Sequence, residues 1–160
     1  MKKIIIALLL SAVTVGASAQ FEKGTKYFGA SLSGFGISYS KVPGFCIDLQ
    51  AQGGYFIADS WMLLGQIGYE HQPHVNIFDM AMGGRYYMKK NGLFFGGSLK
   101  YKHYGQYYKS DNVYITPEVG YCYYLNDHVS LEAAVYSDLC LNHFKDFTKV
   151  GLKIGFGYYF

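Results

Sequence analysis

The chain has 160 residues with 14 basic and 11 acidic side chains, and a formal charge of +3. Two of the basic residues, Lys2 and Lys3, belong to the leader described next, so the remainder carries twelve basic against eleven acidic groups. That balance excludes the basic footprint of a nucleic-acid binder or a polybasic membrane patch. Aromatics at 19%, 20 glycines and only 3 prolines favour twisted β structure with tight turns.

At the N-terminus, Lys2 and Lys3 precede an apolar run from Ile4 to Leu10 that continues through Ala12, Val13 and Val15, followed by Ala17-Ser18-Ala19. A charged start, a short apolar core and an A-x-A site predict a secretory signal peptide over residues 1–19. The run is too short for a membrane-spanning helix. Residues 20–160 are then expected to form one domain. No cysteine adjoins the cleavage site, so a lipid anchor is not expected. No later stretch has the pattern of a transmembrane helix, and insertion by strands requires a closed barrel.

From Phe21 onward eight alternating segments are predicted. The first, Lys26 to Tyr39, points Phe28, Ala30 and Leu32 one way, while Phe35, Ile37 and Tyr39 fall out of phase unless a bulge sits near Gly34 or Gly36. After Lys41-Val42-Pro43-Gly44, the second sends out Phe45, Ile47, Leu49, Ala51, Tyr55 and Ile57, opposite Cys46, Asp48, Gln50 and Gln52. Ala58-Asp59-Ser60 turns into Trp61, Leu63, Ile67 and Tyr69, opposite Gln66 and Glu70. His71-Gln72-Pro73-His74 breaks this strand. The fourth, Val75 to Met88, places Phe78, Met80, Met82, Tyr86 and Met88 outward and Asp79, Arg85 and Tyr87 inward.

Lys89-Lys90-Asn91-Gly92 is a hairpin turn, because Asn and Gly accept positive φ. The fifth segment sends Leu93, Phe95, Leu99 and Tyr101 outward and Ser98, Lys100 and Lys102 inward. Beyond the polar Gly105–Asn112 stretch, Val113, Ile115, Val119, Tyr121, Tyr123 and Leu125 resume the outward face, with Pro117 inside a strand whose ladder it cannot join as a donor. Asn126-Asp127 turns into Val129, Leu131, Ala133 and Val135, opposite Ser130, Glu132, Tyr136 and Asp138. Leu141 to Asp146 leads into the last strand. There Val150, Leu152, Ile154, Phe156, Tyr158 and Phe160 alternate with Gly151, Lys153, Gly155, Gly157 and Tyr159, which fits lipid on one side and a packed polar interior on the other.

Tyr55-Phe56-Ile57, Tyr86-Tyr87-Met88, Tyr123-Tyr124-Leu125 and Tyr158-Tyr159-Phe160 recur along the chain, three of them just before a turn and the last at its end. They predict four hairpins that end at one rim and form an aromatic girdle there. Because that rim shares its side with both termini and the shortest turns, it is expected to face the periplasm. Lys153, Gly155, Tyr158 and Phe160 resemble the polar-x-Gly-x-x-aromatic-x-aromatic signal that outer-membrane barrels present to their assembly machinery. With the leader and the alternating strands, the mature chain resembles the small, porin-like outer-membrane barrels of Gram-negative bacteria, of the OmpX and OmpA transmembrane-domain type. The resemblance implies an all-β, eight-stranded, antiparallel up-and-down transmembrane barrel. It is closer to OmpX, since no peptidoglycan-binding domain follows Phe160, although the loops here are shorter.

An eight-stranded interior is just wide enough for side chains to fill. The expected lumen residues are Asp48, Glu70, Asp79, Arg85, Lys100, Lys102, Glu118, Glu132, Asp138 and Lys153, and buried ions of both signs predict a salt-bridged plug. Parity also puts His128, Ser130 and Glu132 on one inward face, a hydrolase-type set. Neighbours two apart on a strand are however roughly 6 to 7 Å from one another, beyond hydrogen-bond reach. Turn and lumen packing is the preferred reading, and no catalytic residue is assigned.

His71, His74, His103 and His143 fall near the loops opposite the girdle, with no diagnostic ligand spacing, so no metal or other cofactor is expected. Tyr104, Tyr107, Tyr108 and Phe144 fit the outer interfacial belt. Cys46 and Cys122 are expected inward and Cys140 near a loop, with no essential disulfide.

The expectation is thus a monomeric outer-membrane protein exported by a signal peptide, in contact with lipid and, during biogenesis, with assembly machinery. Its role is structural or in surface interaction, and any extracellular partner is unspecified. A lipid A-modifying enzyme and a narrow solute pore are the alternatives. A soluble lipocalin is disfavoured, because that fold places its apolar face inside.

Overall fold

The computed structural model describes residues 21–35, 47–72, 75–89, 91–104, 111–141 and 149–160. Among them are eight strands: β1 Lys26–Phe35, β2 Ile47–Ala58, β3 Trp61–Gln72, β4 Val75–Tyr87, β5 Leu93–Tyr104, β6 Asp111–Tyr124, β7 Val129–Cys140 and β8 Lys149–Tyr159. Each pairs antiparallel with the next, and β8 pairs with β1 from Tyr27↔Tyr159 onward, so the sheet is a closed barrel without a free edge. Closure matters because no strand is then left with an unpaired edge whose backbone groups would need water.

Period-2 alternation fixes both faces. Outward stand Phe28, Leu49, Leu63, Ile67, Met80, Met82, Leu99, Val119, Val135 and Phe156, all exposed, with Met82 the most open of them at 69%. A water-soluble protein does not turn such a belt outward around its whole circumference. The ten lumen residues expected from the sequence are each no more than 7% exposed. The lipocalin arrangement is therefore inverted here.

Local features follow from sequence. The β1–β8 register shifts between Ser33 and Phe35, at the bulge expected near Gly34. The expected continuation of the first segment to Tyr39 lies outside the described residues. Pro117 keeps its place opposite Gly97 on β5, but the β6–β7 register passes from Ile115↔Leu139 directly to Glu118↔Tyr136. The proline, lacking an N–H, leaves its gap on the β7 side alone. Gly92 has φ +67°, and a Cβ there would come within 2.5 Å of the Cys122 carbonyl oxygen, so the Asn91-Gly92 turn needs glycine.

Cys140, expected near a loop, is the last residue of β7, where it pairs with Tyr114 and its side chain is fully buried. It and Cys122 are free thiols, and Cys46 lies outside the described residues.

Candidate functional site: the ion-paired lumen and its aromatic floor

The lumen is layered. At the end carrying the Ala58–Ser60, Lys89–Gly92 and Leu125–His128 turns lies an aromatic floor of Phe21, Phe56, Tyr87, Phe94 and Tyr159, joined by Met62, Leu64 and Cys122. The doublets read from the sequence as a girdle therefore divide. Tyr55, Tyr86, Tyr123 and Tyr158 face outward at 39–46% exposure. Their successors Phe56, Tyr87 and Tyr159 are buried inside, with Tyr124 packed against the same cluster. The correction follows from the strand itself, since adjacent residues point to opposite faces. Phe21 stacks on Tyr87 with ring centroids 4.5 Å apart, and Tyr124 meets it edge-on at 5.6 Å. Sequence reading missed Phe21, Met62 and Leu64 as interior residues.

Above the floor sits an ion layer centred on Arg85 of β4. Its Nε donates to Glu118, its Nη1 to Glu132 Oε2 at 3.0 Å and its Nη2 to Gln52 Oε1 at 3.0 Å. The guanidinium carbon lies 4.7 Å from the centroid of the Phe94 ring, so the cation rests on the floor. Lys153 of β8 donates to the other oxygen of Glu118. Tyr27 and Tyr159 each donate to Glu132 at 3.1 Å. Two cations and two carboxylates thus neutralise one another. Gly157 makes room for this: a Cβ at that position would fall 2.6 Å from Tyr27 and 2.9 Å from Glu132 Oε1. The space between Tyr27, Ser31, Gln52, Glu132 and Lys153 is too small to hold a water molecule.

A second ion cluster occupies the half nearer the opposite end. Asp138 of β7 accepts from Lys100 at 3.1 Å, pairs with Lys102 at 3.2 Å and accepts from Thr116 Oγ1 at 2.7 Å. Glu70 pairs with both Lys102 and Lys149 at 3.3 Å. Lys149, at the start of β8, is a further member outside the ten expected lumen residues. Asp48 accepts from Ser33 at 2.9 Å and Gln50 at 2.8 Å. Asp79 is buried beside Gly68, and its two oxygens have no hydrogen-bond partner among the described residues.

The structure separates the hydrolase-type set. Ser130 is fully buried and, contrary to the spacing argument, donates to Glu132 at 3.5 Å, while His128 is exposed in the turn with its ring 5.9 Å from that of Tyr158. The parity argument fails at His128 because Asn126 caps the turn, its Oδ1 accepting from the N–H groups of His128 and Val129, and strand alternation starts only at Val129. His103 is exposed on β5; nothing of the His71, His74, His143, Tyr104, Tyr107, Tyr108 and Phe144 side chains lies within the described set. Of the expected assembly signal, Gly155 and Lys153 face inward on β8 while Tyr158 and Phe160 face outward.

Outside the barrel wall, Asp59 binds Lys89 at 3.0 Å and accepts from the Lys23 N–H at 3.1 Å. These contacts, the Lys23 backbone bond first, hold the exposed Asp59 carboxyl below its ordinary value.

This layout, an apolar belt outside and neutralised charge inside, defines an eight-stranded β-barrel of the transmembrane type. Solved structures that share this fold include small outer-membrane barrels. It is similar to the N-terminal β-barrel domain of Pseudomonas aeruginosa OprF, with 14% identity and a TM-score of 0.70 over 86% of this chain and 98% of that one. It is similar also to Neisserial surface protein A, with 15% identity and a TM-score of 0.66 over 86% and 100%. Ail, the attachment invasion locus protein of Yersinia pestis, matches with 12% identity and a TM-score of 0.55 over 86% and 99%. No protein-family model and no curated protein matches the sequence.

Proposed function

We propose that this chain is a monomeric outer-membrane barrel whose lumen is a structural plug, and whose role is to present its loop end at the cell surface in the manner of OmpX. The observation that carries the reading is the neutral Arg85–Lys153–Glu118–Glu132 layer resting on a closed aromatic floor. Buried pairs of this kind hold the wall together and leave no continuous water path for a solute. The leader supplies export, and the turn end with its aromatic doublets faces the periplasm. Lys153, Gly155, Tyr158 and Phe160 are the residues by which assembly machinery recognises the chain, and deleting Phe160 lowers the assembled fraction in cells without preventing refolding in detergent.

No catalytic role, cofactor or nucleic-acid partner belongs to this reading. The enzyme alternative predicts lipid A modification that disappears on Ser130→Ala or His128→Ala.

The test combines fractionation with conductance. The protein should be found in isolated outer membranes, shift in gel mobility on boiling, and give no stable single-channel current in a planar bilayer. A soluble periplasmic protein without a mobility shift would overturn the membrane assignment, and steady conductance would overturn the plug.

A further inference from the structure

The floor is not closed by the strands alone. Residues 21–25 precede β1 and fold back across the turn end as a strap. Phe21 is fully buried, while Glu22, Lys23 and Gly24 are exposed. Its ring reaches Phe56 of β2, Tyr87 of β4 and Tyr124 of β6, three strands that do not neighbour one another in the sheet. One side chain thus fills the gap that three walls leave.

The strap is fastened at four backbone points. Ser60 N–H donates to the Phe21 carbonyl at 2.8 Å, Gly24 N–H to Phe56 at 2.9 Å, Phe56 N–H to Thr25 at 2.9 Å, and Lys23 N–H to the Asp59 carboxylate at 3.1 Å. Ser60 has φ +67°, an uncommon conformation for a residue with a Cβ. That geometry lets its N–H take the strap while its carbonyl accepts from Tyr87. The β2–β3 turn is therefore shaped as a receptor for the strap. Its outer fastening, Lys23–Asp59–Lys89, lies in water and is weak on its own.

We propose that residues 21–25 are a separable stopper: Phe21 seals the turn end of the lumen, and its withdrawal admits water to the floor while the barrel wall stays intact. Local opening of this kind has a lower free-energy cost than global unfolding, since few backbone bonds and one side chain are released. The chain carries its own reporter. Cys122 is 2% exposed within the floor cluster, its Sγ 3.6 Å from the Tyr159 hydroxyl, whereas Cys140 is buried at the far end of β7.

The experiment uses two single-thiol proteins, one keeping only Cys122 and one keeping only Cys140, with the other cysteines replaced by serine. A charged methanethiosulfonate reagent is applied to the refolded barrel in detergent, and folding is checked by the boiled and unboiled gel mobilities. With Phe21 in place both thiols should react slowly. Phe21→Ala should raise the Cys122 rate by about tenfold or more and leave Cys140 unchanged, while Phe21→Leu keeps most of the protection. Asp59→Asn, which touches only the outer fastening, should raise the Cys122 rate by less, and it carries the test if Phe21→Ala fails to fold. Unchanged Cys122 labelling in both variants, a parallel rise at Cys140, or rapid Cys122 labelling with Phe21 in place would each overturn the stopper.

Discussion

Replacing Arg85 by methionine removes the cation that joins β4 to β6, β7 and β2 through the lumen. Methionine fills much of the same length, so the packing against Phe94 is partly kept and the effect is chiefly electrostatic. The layer then holds Lys153 against both Glu118 and Glu132, and Glu132 is left with hydroxyl donors from Tyr27, Tyr159 and Ser130. Breaking a buried pair on one side costs roughly 3–5 kcal/mol, because the remaining charge stays buried without a counterion. With a urea dependence of about 2 kcal/mol per molar, the unfolding midpoint in lipid vesicles should fall by ~2 M.

The companion change distinguishes this cause from lost packing. Arg85→Met with Glu132→Gln restores neutrality, leaving Lys153 with Glu118, and should recover roughly half or more of the lost stability. A single-variant loss under about 1 kcal/mol, or a double variant worse by the sum of the two singles, would refute the assignment of the layer as an electrostatic clasp.

Three further outcomes follow from the geometry. Gly157→Ala puts a methyl group against Tyr27 and Glu132, and should lower stability by about 1–3 kcal/mol in the same unfolding assay. Met82→Arg, in the middle of the outward belt, should cost roughly 2–4 kcal/mol in vesicles, whereas Tyr86→Arg at the rim costs about 1 kcal/mol or less. For Asp59, whose carboxyl is held below its ordinary value, the associated stabilisation is present above the ordinary carboxylate pKa and is lost as pH falls through the lowered one. Carbon NMR of the Asp59 carboxyl should show its midpoint moving up in Lys89→Met.

Much of the barrel is legible in the sequence because alternation is a property of the strand itself: once one residue of a segment is placed, parity places the rest. Asp79, Arg85, Lys100 and Glu132, on three strands, fall inside from that alone. Parity says nothing about depth along the lumen, however. The aromatic doublets look like one girdle when read as pairs, and only the layering shows that Phe56, Tyr87 and Tyr159 close the interior.

Parity also stops at turns, which is why His128 lies outside the set it was grouped with. Phe21 lies before the first strand, where no periodicity reaches it, and its place depends on rings from three separate strands. Which carboxylate meets which cation was equally illegible. Lys102 passes over its register partner Asp79 to reach Glu70 and Asp138, a matter of side-chain reach across the lumen.

If the outward belt meets acyl chains, the chain carries one direct probe of that contact. Trp61 is the sole tryptophan, 54% exposed on the outward face at the start of β3, with its ring 5.0 Å from Tyr86 near the turn end. Its fluorescence should be measured with the refolded protein in vesicles whose lipids carry bromine at defined depths. Quenching should be strong for bromines close to the headgroups and weaker toward the bilayer centre, as for an interfacial aromatic. Fluorescence unaffected by bromine at every depth would contradict a lipid-facing belt.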